Sequence, residues 1–214
     1  MSLQPIRLGP PLLYEGSYKF DKAAVLKRCN ALADATPGFD STMQNIEIGD
    51  AGSTASGQFA GSTKDTITQE GQPHTWPELD GFVKWMAKEI PSIMKAWEVP
   101  AEGIVITNSW VNRHRKGGWT NWHIHHGAKL CLAAYIQAPK DSGHLLMVDP
   151  LEYHWEGFPN DGRTVNRTGG YRLPVADNKV YFFAPFLRHG TEPNYSDQDR
   201  WVLSMNLDIR TQVK

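Results

Sequence analysis

From residue 104 onward the chain is a series of short apolar segments separated by turns, and this series limits the possible folds most strongly. The segments are rich in β-branched and aromatic residues, which favours strands over helices. They cover residues 103–114, 120–126, 128–138, 144–149, 179–185 and 200–210. Many short strands with Gly-rich and Pro-rich turns are typical of an antiparallel sandwich or barrel. We therefore predict a mainly β fold, a double-stranded β-helix (jelly-roll) barrel over residues 101–210.

The first 100 residues read differently, and we predict that they form a helical layer supporting the barrel. Residues 21–35 have apolar residues at helical spacing, with Asp21 as the N-cap. In the second helix, Thr75 and Glu78 have the spacing of a capping box, and an apolar stripe follows. Pro91 should kink or split this helix. Stripes of this kind usually pack on the outside of a sheet.

Two polar segments interrupt the pattern. Residues 49–63 are rich in Gly, Ser and Thr and predict a flexible surface loop. Residues 150–178, rich in Gly, Asn and Arg, lie inside the predicted barrel, where an insertion of that length is more often a functional lid than an idle connection. Neither segment marks a domain boundary, so residues 1–214 are predicted to form a single domain.

Composition argues against several classes of partner. A net charge of −1 gives no electrostatic basis for binding nucleic acid. No segment approaches the roughly 20 apolar residues of a membrane span, and the N-terminus lacks the pattern of a signal peptide. With only two cysteines a disulfide framework is not expected, so the simplest location is the cytoplasm. The sequence leaves the oligomeric state open, a homodimer included.

Three of the eight histidines have a pattern that suggests a metal site. In a strand, His123 and His125 would point to the same face, while Ile124 would pack on the opposite face. Two imidazoles on one wall can bind iron, copper, nickel or zinc, although two histidines this close also occur by chance. His126 has the wrong parity and is expected to be exposed. His189 follows a buried strand and would complete the set, leaving other metal positions open for reactants.

Arg200 suggests a co-substrate for such a metal. A guanidinium inside a barrel needs a partner, and a dicarboxylate that chelates the metal could supply one through a bidentate fork. Ser204 and Asn206 share the parity of Arg200, so we expect them to line the same cavity. The alternative is that Arg200 lies at a strand edge and pairs with Asp197 or Asp199.

These positions together resemble a known family, the 2-oxoglutarate–Fe(II) oxygenases found in cyanophage and marine bacterial genomes, within the prolyl-hydroxylase-like superfamily. The resemblance covers most of the chain and is strongest from about residue 104 to 207. It implies iron(II) at the three histidines, O2 as oxidant, and 2-oxoglutarate with its distal carboxylate on Arg200. Tyr135 is a weaker candidate for that carboxylate, and Asn112 could reach the co-substrate or the substrate. The matching positions are Ser109-Trp-Val-Asn112, Gly117, His123-Ile-His125, Tyr135, Asp149-Pro150, Pro185, His189-Gly, Pro193-Asn194, Arg200 and Ser204-Met-Asn206.

One position departs from the superfamily, which has His-x-Asp or His-x-Glu where this chain has His125. Three-histidine sites are otherwise associated with cupin-type dioxygenases that use no 2-oxoglutarate, so this enzyme class is an alternative. A non-catalytic jelly-roll binding module is a second alternative. The sequence does not distinguish a small-molecule substrate from a peptide or protein side chain. The candidate substrate contacts are Trp110, Trp122, Arg163 and Arg172, with core packing as the alternative for Trp122 and a solvated loop as the alternative for the two arginines.

Overall fold

In a computed structural model, residues 10–35, 53–55, 72–120, 122–148, 150 and 170–211 are described. Within these ranges the strands form two antiparallel sheets. The major sheet has the order β1-β7-β4-β9-β3-β2, and the minor sheet has the order β6-β5-β8. The strands are β1 Leu13–Ser17, β2 Ser53–Ala55, β3 Ala101–His114, β4 Leu130–Gln137, β5 Leu145–Val148, β6 Gly170–Leu173, β7 Lys179–Phe183, β8 His189–Thr191 and β9 Arg200–Thr211.

The outer face of the major sheet packs against two helices, α1 Lys22–Ala35 and α2 Asp80–Ala96. The apolar stripe of α2 supplies Phe82, Met86 and Ile90, all essentially inaccessible, to a core that also contains alternate residues of β4 and β9. The sequence prediction that this stripe covers a sheet is therefore confirmed. Among the described residues, neither helix is long and apolar enough to cross a membrane.

The inner face of the major sheet points toward the minor sheet, and the candidate site lies between them. The register places Trp110 opposite Ser204, and Cys131 opposite Asn206. Because directly opposed residues in neighbouring strands point to the same side, these side chains share the inner face. The apolar part of this inner core includes Ala133, Leu145, Met147, Phe183, Leu187 and Val202.

Several strands lie where the sequence suggested helix, loop or insertion. Leu13–Ser17 belongs to the segment predicted as a helical layer, yet it pairs with β7 at the edge of the major sheet. Ser53–Ala55 lies in the segment predicted as a flexible loop, yet it pairs with β3. Gly170–Leu173 lies in the predicted insertion and pairs with β5. Edge strands this short have too little pattern of their own, because the neighbouring strand supplies their hydrogen bonds.

The predicted capping box is wrong. Two short 3₁₀ turns, Pro73–Thr75 and Pro77–Leu79, precede α2, which begins at Asp80. The Thr75 hydroxyl donates to the carbonyl of Gln72, 2.8 Å away. The predicted split at Pro91 is also absent, since α2 continues through it. By contrast, α1 begins as predicted, with the amide of Ala24 donating to the Asp21 carboxylate at 3.1 Å.

Candidate metal centre and co-substrate cavity

The segment that carries His123 and His125 is not the regular strand that the sequence suggested. This segment lies beside residues 185–189 and is joined to them by a few main-chain hydrogen bonds. His123 and His189 form an isolated bridge with bonds of 2.9 and 3.0 Å, and the amide of His125 donates to the carbonyl of Pro185 at 3.0 Å. The i, i+2 relation survives, so both imidazoles reach the same side. Ile124 does not pack into a core as expected but is 39% exposed. His126 is exposed, as predicted.

The three predicted ligands come together. One candidate ligand atom from each of His123, His125 and His189 lies within 4.8 Å of the others. The ring centroids are 5.1 Å apart for His123 and His125, 5.0 Å for His125 and His189, and 4.3 Å for His123 and His189. His189 is buried, while His123 lies at the exposed side of the cluster. The cluster is therefore open on one side, as a reactive metal centre requires.

Hydrogen bonds to the outer ring nitrogens set which nitrogen is available for a metal. His189 Nδ1 lies 2.8 Å from the carbonyl oxygen of Leu187. A carbonyl only accepts, so this nitrogen carries the proton and Nε2 keeps its lone pair. His125 Nδ1 lies 2.5 Å from Asn206 Oδ1. His125 Nε2 is buried and has no hydrogen-bond partner among the described residues. Such an orphaned nitrogen fits a metal ion well.

The electrostatics favour the neutral form that binds metals. Burial, followed by the proximity of His123, lowers the pKa of His189 to about 3. Burial also lowers the pKa of His125 to about 4, against the opposing effect of the bond to Asn206. Both imidazoles are therefore neutral near pH 7, and no proton has to leave them before a metal binds.

A cavity that is partly open to solvent extends from the histidines between the two sheets, and its empty space is about 440 Å³ when the open solvent at its mouth is included. Tyr135, Ser204, Asn112 and Trp110 line it, so four of the predicted co-substrate and substrate residues lie together there. The ring of Trp110 stacks on the His125 ring with centroids 5.6 Å apart. This contact restrains the orientation of the His125 imidazole.

Arg200 is placed differently from the prediction. It is inaccessible to solvent and is not one of the residues that line the cavity. Its two terminal nitrogens donate to the carbonyls of Ser142 and Glu192 and to the Thr191 hydroxyl. The terminal nitrogens of Arg200, which were expected to bind a carboxylate in a bidentate fork, thus donate to neutral acceptors of the chain. The alternative, in which Arg200 pairs with Asp197 or Asp199, is wrong, because Asp199 pairs with Arg113 and Asp197 with Lys116. The predicted role of Arg200 toward a co-substrate stays a prediction.

The other predicted contacts lie outside the cavity wall. Asn206 contacts His125 rather than the cavity. The Arg188 guanidinium lies over the Trp122 ring, with its central carbon 5.7 Å from the ring centroid. Arg172, half exposed on β6, pairs with Glu192 at 2.7 Å. Arg163 lies outside the described residues.

Sequence reasoning missed three polar residues of the cavity, His114, Thr120 and Thr191. Parity could have found two of them. His114 is two residues beyond Asn112 on β3, and Thr191 is two residues beyond His189 on β8. Burial lowers the pKa of His114 well below its usual value, with the nearby Arg200 charge acting in the same direction. The candidate site therefore has a neutral, hydroxyl-rich end next to a buried cation.

Two antiparallel sheets with a histidine cluster between them define a double-stranded β-helix protein with a candidate metal centre. The sequence of residues 108–206, which include every residue of that centre, matches the family described as "Putative 2OG-Fe(II) oxygenase". A search of the curated proteins with the sequence found no match.

Solved structures support the fold. A prolyl-4-hydroxylase from Pseudomonas putida aligns with a TM-score of 0.56 and 13% identity, covering 94% of each chain. The alpha ketoglutarate dependent carbocyclase SnoK from nogalamycin biosynthesis gives 0.58 and 14%, covering 92% of this chain and 79% of its own. HygX from Streptomyces hygroscopicus, with nickel and 2-oxoglutarate bound, gives 0.52 and 12%, covering 91% and 80%. At these identities the likeness establishes the double-stranded β-helix fold.

Proposed function

We propose that the chain is a non-haem Fe(II)- and 2-oxoglutarate-dependent oxygenase that hydroxylates a small molecule or a peptide or protein side chain. The observation that carries this is the convergence of three imidazoles, with His125 Nε2 buried and unpartnered among the described residues. An unsatisfied buried polar atom costs about 1–3 kcal/mol, and an ion at this point would remove that cost. The family of residues 108–206 and the nickel and 2-oxoglutarate in HygX support the choice of metal and co-substrate.

Bound iron(II) would supply the chemistry that couples O2 reduction and 2-oxoglutarate decarboxylation to oxidation of a C–H bond. The chain's own residues hold the ligands in place. The Leu187 carbonyl and the Asn206 amide each fix an outer ring nitrogen, and Trp110 stacks on His125. Three protein ligands leave coordination positions open on the cavity side for reactants.

Hydroxyl groups at the far end of the cavity would receive the distal carboxylate. The Tyr135 hydroxyl makes no hydrogen bond within the described part of the chain, and burial raises its pKa to about 12, so it remains a donor. Thr191 Oγ1 accepts from the Thr120 amide at 2.8 Å and from Arg200 at 2.9 Å. Both of its lone pairs are thus used, and its own hydrogen is left to donate. Arg200 would act through Thr191 and through its charge.

The register supports this arrangement. Trp110, which stacks on His125, lies opposite Ser204, and Tyr135 lies opposite Val202, two residues away on β9. Two residues of strand span about 7 Å. A five-carbon dicarboxylate can bridge such a separation, with one end at the histidines and the other at Tyr135.

Anaerobic titration tests the proposal. The chain should bind one iron(II), and adding 2-oxoglutarate should produce a weak visible charge-transfer band. His189→Ala should abolish both signals, whereas His126→Ala, a change at an exposed neighbour, should leave both intact. A cupin-type dioxygenase would bind iron without the band, and a non-catalytic module would show neither.

The predicted lid, residues 150–178, can be tested separately, although residues 151–169 lie outside the described part of the chain. Because Gly170–Leu173 is part of the minor sheet, a deletion should stop before it and remove residues 155–169. If this segment closes over a substrate, the deletion should leave substrate-free 2-oxoglutarate turnover unchanged and abolish product formation. Unchanged product formation would contradict a lid.

A further inference from the structure

Asn206 was expected to face the co-substrate, but its side chain faces the back of a candidate metal ligand. Asn206 Oδ1 lies 2.5 Å from His125 Nδ1 and 3.3 Å from Cys131 Sγ. Cys131 is directly opposite Asn206 in the register of β4 and β9, so the contact follows from strand pairing. Cys131, Asn206 and His125 therefore form one chain of contacts from the sheet to the metal cluster.

This chain of contacts determines how the His125 ring is protonated. An asparagine can present either its oxygen or its NH2 group to a neighbour, and the other partners decide which. Burial raises the pKa of the Cys131 thiol to about 12, so the thiol keeps its hydrogen and can donate it. With Cys131 donating, the amide oxygen is the atom that faces both neighbours. A neutral His125 must then carry its proton on Nδ1, which leaves the Nε2 lone pair pointing inward.

We propose that Asn206 is a positioning residue that locks His125 in the Nδ1–H tautomer, so that the chain can use a neutral imidazole where the related superfamily has a carboxylate. The inference rests on the proposed metal site and deepens it. The partner is an amide and not a carboxylate, so neither the ligand nor its support carries negative charge. The three-histidine set thus leaves the full charge of a divalent metal to be balanced by the co-substrate.

Two variants and a matched control test the proposal, with cobalt(II) and no 2-oxoglutarate. Asn206→Leu removes the acceptor at similar size and should weaken cobalt(II) affinity roughly 10- to 100-fold in calorimetric titration. Asn206→Asp keeps an acceptor and should bind cobalt(II) at least as tightly as the wild type. Asn108→Leu is the control, because Asn108 is the register partner of Asn206 on β3 and its side chain makes no hydrogen bond to a histidine among the described residues. It should leave the affinity unchanged.

Nitrogen-15 NMR of histidine-labelled, metal-free protein reports which ring nitrogen of His125 carries the proton. If Asn206 only stabilised the fold, its substitution would not change this. The wild type and Asn206→Asp should show His125 protonated at Nδ1, whereas Asn206→Leu should shift its proton to Nε2. Retention of the Nδ1–H form and of wild-type cobalt affinity in Asn206→Leu would overturn the inference, as would a loss of affinity in Asn206→Asp equal to that in Asn206→Leu. A wild-type chain that binds no cobalt would overturn the proposed metal site, and the inference with it.

Discussion

The Tyr135 hydroxyl offers the sharpest test of how this cavity would hold a dicarboxylate. The side chain is only 1% exposed, lines the cavity and has no hydrogen-bond partner for its hydroxyl among the described residues. Tyr135→Phe therefore removes a donor without breaking a bond inside the described structure. Its effect on co-substrate binding can be separated from its effect on folding.

The expected magnitude follows from the charge of the acceptor. A hydrogen bond to a carboxylate contributes about 1.5–3 kcal/mol, so Tyr135→Phe should raise the Kd for 2-oxoglutarate roughly 10- to 150-fold. The measurement is anaerobic titration of the iron(II) protein, followed by the charge-transfer band. The melting temperature should remain unchanged, since the substitution breaks no hydrogen bond among the described residues.

Tyr181→Phe is the matched control. Tyr181 lies on the neighbouring strand with its ring edge-on to Tyr135, 6.5 Å between centroids, but its hydroxyl donates to the Pro174 carbonyl at 2.7 Å. Losing this bond should lower the free energy of unfolding by about 0.5–1.5 kcal/mol and leave 2-oxoglutarate affinity unchanged. Equal Kd values for Tyr135→Phe and the wild type would refute the assignment of this end of the cavity to the distal carboxylate.

Three further outcomes follow from the structure. His125→Ala should abolish stoichiometric metal binding in elemental analysis, because the two remaining imidazoles form no facial set. Metal-free protein should lose stability as pH falls below about 6.5. His125 and His189 have folded pKa values of about 4 and 3, and the pKa of His114 is also lowered, so the unfolded chain binds more protons. In denaturant unfolding at about pH 5.5, His125 and His189 alone should give a loss on the order of 2–3 kcal/mol relative to neutral pH, and His114 should add to it. Gly143→Ala should lower the melting temperature more than Gly127→Ala, because both have positive φ, which costs about 1–2 kcal/mol, but only at Gly143 would a Cβ lie 2.6 Å from a carbonyl oxygen.

The long strands and the histidine cluster could be predicted because their signals are local. The near-continuous apolar residues of β4 and β7 indicate strands buried on both faces. The i, i+2 spacing of His123 and His125 indicates that both side chains point to one side. The prediction of the cluster did not need a true strand. The main chain at His123 and at His125 bonds to residues 185–189 without forming a regular strand. This is enough to keep both imidazoles on the same side.

Contacts that depend on distant main-chain groups could not be predicted. The terminal nitrogens of Arg200 donate to the carbonyls of Ser142 and Glu192, and main-chain acceptors of this kind cannot be predicted from a pattern of side chains. The sequence placed Asn206 on the correct face of β9. The alternation of side chains along a strand cannot show, however, that the His125 ring, from a separate segment, contacts the Asn206 side chain. Ile124 is exposed because its segment is an isolated bridge, with no second layer on that side for it to pack against among the described residues.

The charge of the cavity connects these observations. Among the described residues that line it there is no Asp or Glu, and burial keeps His114, His125 and His189 neutral by lowering the pKa of each. The nearest buried charge is that of Arg200, whose pKa burial lowers to about 10, so it remains a cation at neutral pH. A divalent metal would add two further positive charges in a region of low dielectric constant, where uncompensated charge is costly. In a His-x-Asp site, the ligand carboxylate supplies part of the balance. Here the balance has to come from the bound dianion, so co-substrate and metal should bind with strong positive coupling, each stabilising the other more than a carboxylate-containing site would require.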